Sequence, residues 1–260
     1  MLKGKVGLIM GVINERSIAW GVAQLAHTLG AKLAFSYSHD LFKSKVKKLI
    51  ETVDSDFLHI CDVTKEGHIK ELFAEVGKRF GKIDFIVHSI AFSDKNELKG
   101  KFYDTTLKNF LNSMHISCYS VTEVCREALP FLNNDSSIIT MTHVGSQRFF
   151  PNYNVMGVAK AALEASVRYL AADLGSLGIR VNAVSPGSIK TLAASGISGF
   201  DKFLQMDKAL SPMHRNVTQE DIAGLSCFLC SDFARGITGG VHYVDCGSNI
   251  MGLALPEEAE

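Results

Sequence analysis

Val6-Gly7-Leu8-Ile9-Met10-Gly11-Val12-Ile13-Asn14-Glu15-Arg16-Ser17-Ile18-Ala19-Trp20-Gly21 is the stretch that decides the fold class of this chain. An apolar, β-rich run, Val6–Met10, ends on a glycine, and a polar turn follows. From Ser17 to Leu29 apolar residues then recur at helical spacing. That is a strand feeding a helix across a short loop, the unit from which parallel sheets are built. Gly11 permits a tight turn, and Ser17 stands where it can cap the helix. The N–H groups of Ser17 and Ile18 then face whatever sits at the helix N-terminus, and such open donors favour a pyrophosphate. Gly21 lets the helix lie close on the strand. The Gly-x-Gly-x-x-Gly fingerprint is absent, so the turn alone leaves two readings open: a dinucleotide site or an ordinary βα loop.

The alternation continues to the end of the chain. Strands are predicted over Val6–Met10, Lys32–Tyr37, Phe57–Cys61, Ile83–Ile90, Ser137–Thr142, Arg180–Val184 and Val241–Val244. Helical spacing falls at Ser17–Leu29, Asp40–Thr52, Lys65–Phe80, Thr105–His115, Val121–Phe131 and Asn154–Leu174. Continuous apolar strands such as Ile83–Ile90 suit a parallel sheet buried on both faces. The expected fold is α/β: one doubly wound domain over residues 1–260, with about seven parallel strands flanked by helices.

Composition narrows the class further. The 260 residues carry 27 Lys+Arg against 27 Asp+Glu, which gives nucleic acid and anionic membranes no electrostatic footprint. No apolar run is long enough to span a bilayer, and the first strand begins too early for a signal peptide, so a compact cytoplasmic globular protein is expected. Cys227 and Cys230 form a CxxC with no second ligand pair, which reads as core and predicts no metal site. The run Lys43, Lys45, Lys47, Lys48 reads as the solvated face of the second helix, and the acidic tail Pro256–Glu260 as frayed.

Two strand ends carry candidate cofactor contacts. The second ends Ser36-Tyr37-Ser38-His39-Asp40, where an acidic residue would grip the ribose of NAD and an arginine the 2′-phosphate of NADP. Neither stands at Ser36 to Ser38; Ser38 can bond the adenosine and Asp40 starts the next helix. The absent arginine favours NADH without excluding NADPH. The third ends Cys61-Asp62-Val63, where Asp62 can accept from the adenine amino group or cap the helix from Lys65.

Tyr153 and Lys160 stand seven residues apart, about two helical turns, and so would share a helix face. A phenol beside an ammonium is a proton-donor arrangement, because the cation lowers the phenol pKa. Two surface residues on an amphipathic helix would look the same.

At this point the chain resembles the short-chain dehydrogenase/reductase superfamily, with its Rossmann fold, and within it the enoyl-acyl carrier protein reductases of type II fatty-acid synthesis. The resemblance covers nearly the whole length. It is carried by Gly11 with Ser17-Ile18-Ala19, by Tyr37, by Cys61-Asp62-Val63 and by His88-Ser89-Ile90-Ala91-Phe92. It continues through Pro151-Asn152-Tyr153-Asn154-Val155-Met156-Gly157, Lys160, Val181-Asn182-Ala183 and Ile189-Lys190-Thr191-Leu192-Ala193-Ala194-Ser195-Gly196-Ile197. Superfamily members at large carry Tyr-x3-Lys, but Met156 stands four residues before Lys160; Tyr153-x6-Lys160 is the enoyl-reductase spacing.

The resemblance implies a cofactor, NADH, lying across Gly11, Ser17, Ile18, Ser38, Asp62, Val63, Ser89 and Ile90, with Lys160 on the nicotinamide ribose. Ile189, Lys190, Thr191, Leu192 and Ala193 would cover it. Ala91, Phe92, Ser93, Met156, Ile197 and Phe200 would meet the acyl chain, beside Tyr153. Residues 187–210 would form a substrate-covering loop and helix, with 187–200 as a lid. Hydride would pass to the β-carbon of a trans-2-enoyl thioester while the Tyr153 hydroxyl stabilises the enolate, and a proton would then arrive at the α-carbon. The partners implied are an acyl carrier protein and three further copies of the chain in a homotetramer.

Two positions depart from the family pattern. Its second tyrosine, ten residues before the first, is His143 here. A histidine facing the substrate would give the pH–rate profile an inflection near 6.5; one that only lines the pocket would not. Of the basic residues often found around the carrier-docking helix, only Lys202 stands clear. His88 and His115 match family positions but read as structural. The alternative function is a short-chain dehydrogenase acting on a ketone or alcohol; its Ser and Tyr positions, however, hold His143 and Met156. A non-catalytic nucleotide sensor on this fold would be expected to have lost Tyr153 or Lys160, and both are present.

Overall fold

The computed structural model describes residues 1–192, 194 and 199–253. Within them seven strands form one parallel sheet: β1 (Val6–Met10), β2 (Lys32–Tyr37), β3 (Leu58–Ile60), β4 (Ile83–His88), β5 (Leu132–Met141), β6 (Arg180–Pro186) and β7 (Val241–Val244). Their order is β3-β2-β1-β4-β5-β6-β7, every neighbouring pair parallel. Strand order reverses between β1 and β4, so the crevice for a ligand opens beyond their carboxyl ends.

Helices α1 (Ile18–Thr28), α2 (Asp40–Glu51), α3 (His68–Phe80), α4 (Leu107–Met114), α5 (Ser120–Ala128), α6 (Val155–Gly175), α7 (Phe200–Leu210) and α8 (Gln219–Leu229) surround the sheet. Side chains alternate through each strand, and two cores result. Ile9, Phe35, Val87, Ile139 and Val184 pack with α1 and α8 on one face. Leu8, Met10, Ile86, Ile138 and Val181 pack with α3, α5 and α6 on the other. Cys227 and Cys230 belong to the first core, the Cys227 thiol reaching the Val22 carbonyl at 3.8 Å. Lys43, Lys45, Lys47 and Lys48 all lie on the exposed side of α2.

Several boundaries differ from expectation. β4 stops at His88, two residues early: the Ser89 N–H still donates to the Met10 carbonyl, after which the chain leaves the sheet to bound the crevice. β5 starts five residues early and carries a register break opposite β4, with Asp135 in the left-handed region. α3 begins at His68 behind a left-handed Gly67. The two helices expected over Thr105–Phe131 are nearly continuous, joined by a π-helical turn at His115–Tyr119. Gly21 serves a different neighbour from the one expected: a Cβ there would stand 2.8 Å from Gln219 Cβ, so it brings α1 close to α8 rather than to the strand.

Candidate active site

The proposed cofactor contacts fall along one edge of the sheet, at the carboxyl ends of successive strands. Gly11 follows β1, Ser38 follows β2, Asp62 and Val63 follow β3, and Ser89 and Ile90 follow β4. Gly11 has φ +102°, and a Cβ built on it would lie 2.0 Å from the Ser89 carbonyl oxygen. Only glycine fits this close approach of the two strand ends.

Ser17 does not cap α1 as expected. Its hydroxyl turns back and accepts from the N–H groups of Ile13 (3.0 Å) and Asn14 (3.2 Å), closing the loop. No side chain caps the helix; the Ser17 N–H, expected to be open, donates to the Asn14 carbonyl (3.1 Å) and the Trp20 N–H to the Ser17 carbonyl (2.9 Å), which leaves the N–H groups of Ile18 and Ala19 open. A glycine cradle with open helix donors is the donor set a pyrophosphate needs, and these residues fit a dinucleotide.

Asp62 is occupied locally as well. Its Oδ1 accepts from the backbone N–H and the hydroxyl of Thr64 (3.0 and 2.8 Å), and its Oδ2 lies 3.8 Å from His39 Nε2. Burial opposes the charge, but the Thr64 hydrogen bonds and nearby His39 and Lys65 outweigh it and hold the carboxyl below its ordinary range. Asp62 does not cap α3, whose N-cap is Gly67. Asp40 does begin α2, and its carboxylate accepts from the Tyr37 hydroxyl at 3.2 Å.

Tyr153 sits before the helix rather than on it, which corrects the shared-face argument. α6 starts at Val155, and Asn152 and Asn154 on either side of the tyrosine take positive φ values of 58° and 35°. Asparagine tolerates such angles better than other non-glycine residues. The Asn154 amide also ties this turn to the segment after β4, donating to the carbonyls of Glu97, Lys99 and Gly100 at 3.3–3.5 Å. Gly145 and Gly157 let the turn seat closely: a Cβ on Gly145 would stand 2.7 Å from the Tyr153 ring, and one on Gly157 2.8 Å from the Gly145 carbonyl.

The electrostatics correct a second expectation. The Tyr153 phenol is pushed above its ordinary value by burial and by the Glu164 carboxylate, not lowered by Lys160. Lys160 is buried and donates from Nζ to the Met141 carbonyl at 2.7 Å. Burial lowers its pKa to about 8, with Cys118 and Glu164 working the other way. Tyr153 therefore enters neutral, as a hydrogen-bond donor.

His143 packs against the Tyr153 ring, centroids 4.8 Å apart, and edge-on to Phe150 at 5.0 Å. Its Nδ1 accepts from the Gly145 N–H at 3.0 Å, fixing the neutral tautomer with the proton on Nε2. Burial drives its pKa down to about 4, Asp207 opposing and nearby Lys160 assisting. The inflection near 6.5 considered for this residue is therefore displaced out of the neutral range. His88 is fully buried between the Thr140 (3.1 Å) and Ser120 (2.9 Å) hydroxyls, and burial lowers it to about 3; it is structural, as expected.

Ala91 and Phe92 are exposed, and Ser93 shares a hydrogen-bonded cluster with Asn109 and Ser113. Met156 is buried with Leu98 and Val155, against the Tyr153 ring. The π-helical turn supplies Ser117, whose hydroxyl accepts from the Phe92 N–H (3.0 Å) and approaches Met156 Sδ (3.7 Å). Ile189 packs on the core, Thr191 accepts from the Ala194 N–H, and Leu192 is half exposed. Lys190 pairs with Asp201 at 2.7 Å, and half-buried Phe200 opens α7. Ala193 and Ile197 lie outside the described residues.

With this geometry in place, comparison with known proteins settles the family. Residues 11–249 match the model of the enoyl-(acyl carrier protein) reductases. The chain belongs to that family. An enoyl-[acyl-carrier-protein] reductase [NADH] of Rickettsia bellii is 52% identical over 252 residues, covering 97% of this chain and 96% of that one. The reductase of Anaplasma phagocytophilum, solved in complex with NAD, superposes with a TM-score of 0.95 at 47% identity over 98% of this chain and 97% of that one. The Bacillus cereus reductase, solved with NADP+ and indole naphthyridinone, gives the same TM-score at 44% identity, over 97% and 99%.

Sequence reasoning missed Asn154, Ser117, Glu164 and the aromatic pair Phe150–Phe203, whose rings stand 5.5 Å apart. Glu164 alone left a signal, an acidic residue on the apolar side of a helix, four residues from Lys160.

Proposed function

We propose that the chain reduces the C2–C3 double bond of trans-2-enoyl thioesters, presented on an acyl carrier protein, with NADH as reductant in fatty-acid elongation. What supports the reading is that His143, packed on Tyr153, and Met141, bonded to Lys160, both stand at the carboxyl end of β5, with an uncapped α1 terminus in a chain whose relatives are named NADH-dependent enoyl reductases. When bound, the reduced nicotinamide supplies hydride to the β-carbon.

The chain's own residues do the rest. Gly11, Ser17, Ile18, Ser38, Asp62, Val63, Ser89 and Ile90 border the dinucleotide. Lys160 uses one of its three N–H donors on Met141, which leaves two for ribose hydroxyls. The Tyr153 hydroxyl, held protonated by its dry surroundings, donates to the thioester oxygen as negative charge develops there; such preorganised donors act strongly where water is excluded. His143, neutral and packed at a tilt against Tyr153, orients the phenol and shapes the pocket.

Residues 187–210 form the covering segment. Its base is anchored where Asp207 Oδ2 accepts from the Ser188 N–H at 2.7 Å, and Phe203 on α7 reaches Phe150 and so the His143 ring. On this reading Ile189, Lys190, Thr191 and Leu192 serve the cofactor and Phe200 the acyl chain. Exposed Lys202 offers the acidic carrier one cation; Lys190 is paired with Asp201. We place the enzyme in the cytoplasm as a homotetramer; no helix among the described residues is long and apolar enough to cross a membrane, and exposed Ile250 and Leu253 give an assembly apolar surface to cover.

The test is absorbance loss of NADH, and separately of NADPH, with crotonyl-CoA and with acetoacetyl-CoA. Turnover of crotonyl-CoA with NADH is expected. Turnover of the ketone alone would replace this reading with a ketone reductase.

A further inference from the structure

Glu164 is a buried carboxylate at the heart of the site, and the reaction scheme above does not use it. It lies on α6 one turn beyond Lys160. Its Oε1 accepts two hydrogen bonds, from the Thr142 hydroxyl at 2.7 Å and from the Ser146 hydroxyl at 2.6 Å. Both donors belong to the segment that leaves β5, Met141 to Ser146. The same segment presents the Met141 carbonyl to Lys160 and carries His143 against Tyr153. One carboxylate thus fastens the end of β5 to the helix at the place where both proposed functional groups are set.

Two hydroxyl donors satisfy the Glu164 carboxylate, and a buried ammonium one turn away favours an opposite charge nearby. Few other groups face Lys160. The Cys118 thiol comes from the π-helical turn, His88 from β4 and His143 from beyond β5, both histidines held neutral by burial, while Tyr153 is held protonated. Glu164 itself faces Tyr153 and, from β7, Tyr243; Arg168 bonds only its main-chain carbonyl, at 3.1 Å. Among the described residues, the Cys118 thiol and the Glu164 carboxylate are the groups that favour the charge on Lys160.

We propose that Glu164 is a positioning residue of the reductase site: its carboxylate clamps the β5 end to α6 through Thr142 and Ser146, and it supplies the counter-charge for Lys160. The inference rests on the reading of Lys160 as the ribose-binding group. It implies that NADH affinity depends on Glu164 although the carboxylate is sealed behind the site.

The test follows NADH binding by fluorescence from pH 6 to 10 in the full-length protein. In the parent, affinity should hold below pH 8 and fall above it as Lys160 loses its proton. Glu164→Gln keeps the shape and an acceptor oxygen but removes the charge. Its falling limb should move to lower pH, since losing an opposite charge lowers an ammonium's pKa. Rescue by Glu164→Asp should restore part of the shift. Should the glutamine variant fail to fold, Thr142→Val combined with Ser146→Ala removes the two donors that hold the carboxylate in place beside Lys160 and should shift the limb the same way. A limb that stays at the parent's position in whichever of these variants folds overturns the proposal. Lys160→Ala is the separating control: parent-like NADH affinity there would overturn the ribose reading itself, and the role of Glu164 with it.

Discussion

Lys160 reaches from α6 to the carbonyl of Met141, 2.7 Å away, and so joins the helix to the last residue of β5. That bond fixes where the ammonium stands before any cofactor arrives. Lys160→Ala is expected to weaken NADH binding by roughly ten- to a hundredfold, because hydrogen bonds to a charged group are worth about 1.5–3 kcal/mol. Fluorescence titration at pH 7 measures it, and an unchanged dissociation constant would remove the ribose role.

His143 should leave no mark on the neutral pH profile. Its folded pKa lies near 4 and its Nδ1 is engaged with Gly145, so kcat/KM between pH 5.5 and 8.5 should have the same shape in the parent and in His143→Tyr. The two should differ in height, since the ring that packs on Tyr153 has changed. An inflection near 6.5 in the parent that vanishes in the variant would restore a titrating role.

Gly11→Ala should damage both the fold and cofactor binding. The new Cβ would meet the backbone oxygen of Ser89 at 2.0 Å, and φ of +102° is strained for any L-residue. We expect a loss of more than about 2 kcal/mol, since a misplaced non-glycine residue alone costs roughly 1–2 kcal/mol. In a domain of this size that lowers Tm by roughly 5 °C or more. Thermal denaturation with and without NADH checks it; a variant with parent Tm and parent affinity would show that the cradle has slack.

The sheet was legible because its strands are apolar runs between helical periods, and periodicity is set by burial. Asp40 at the start of α2 and the core placement of Cys227 and Cys230 followed from the same logic. Backbone detours were not legible. Nothing in the spacing of Tyr153 and Lys160 reveals that two asparagines at positive φ set the tyrosine off the helix. Ser17 illustrates another limit: a serine before a helix reads as a cap, yet its hydroxyl found closer donors at Ile13 and Asn14. The phenol's acidity was misjudged because spacing brought Lys160 near without showing that burial and Glu164 outweigh it.

The central claim is that the Tyr153 hydroxyl, neutral and held against His143, stabilises the charge that forms on the thioester oxygen. Tyr153→Phe removes that hydroxyl and keeps the ring. Steady-state reduction of crotonyl-CoA, measured beside NADH titration of the same variant, tests the claim most directly. The expected result is turnover lower by about a hundred- to a thousandfold, the usual effect of losing one such donor, with NADH affinity unchanged. Full turnover in Tyr153→Phe would contradict it.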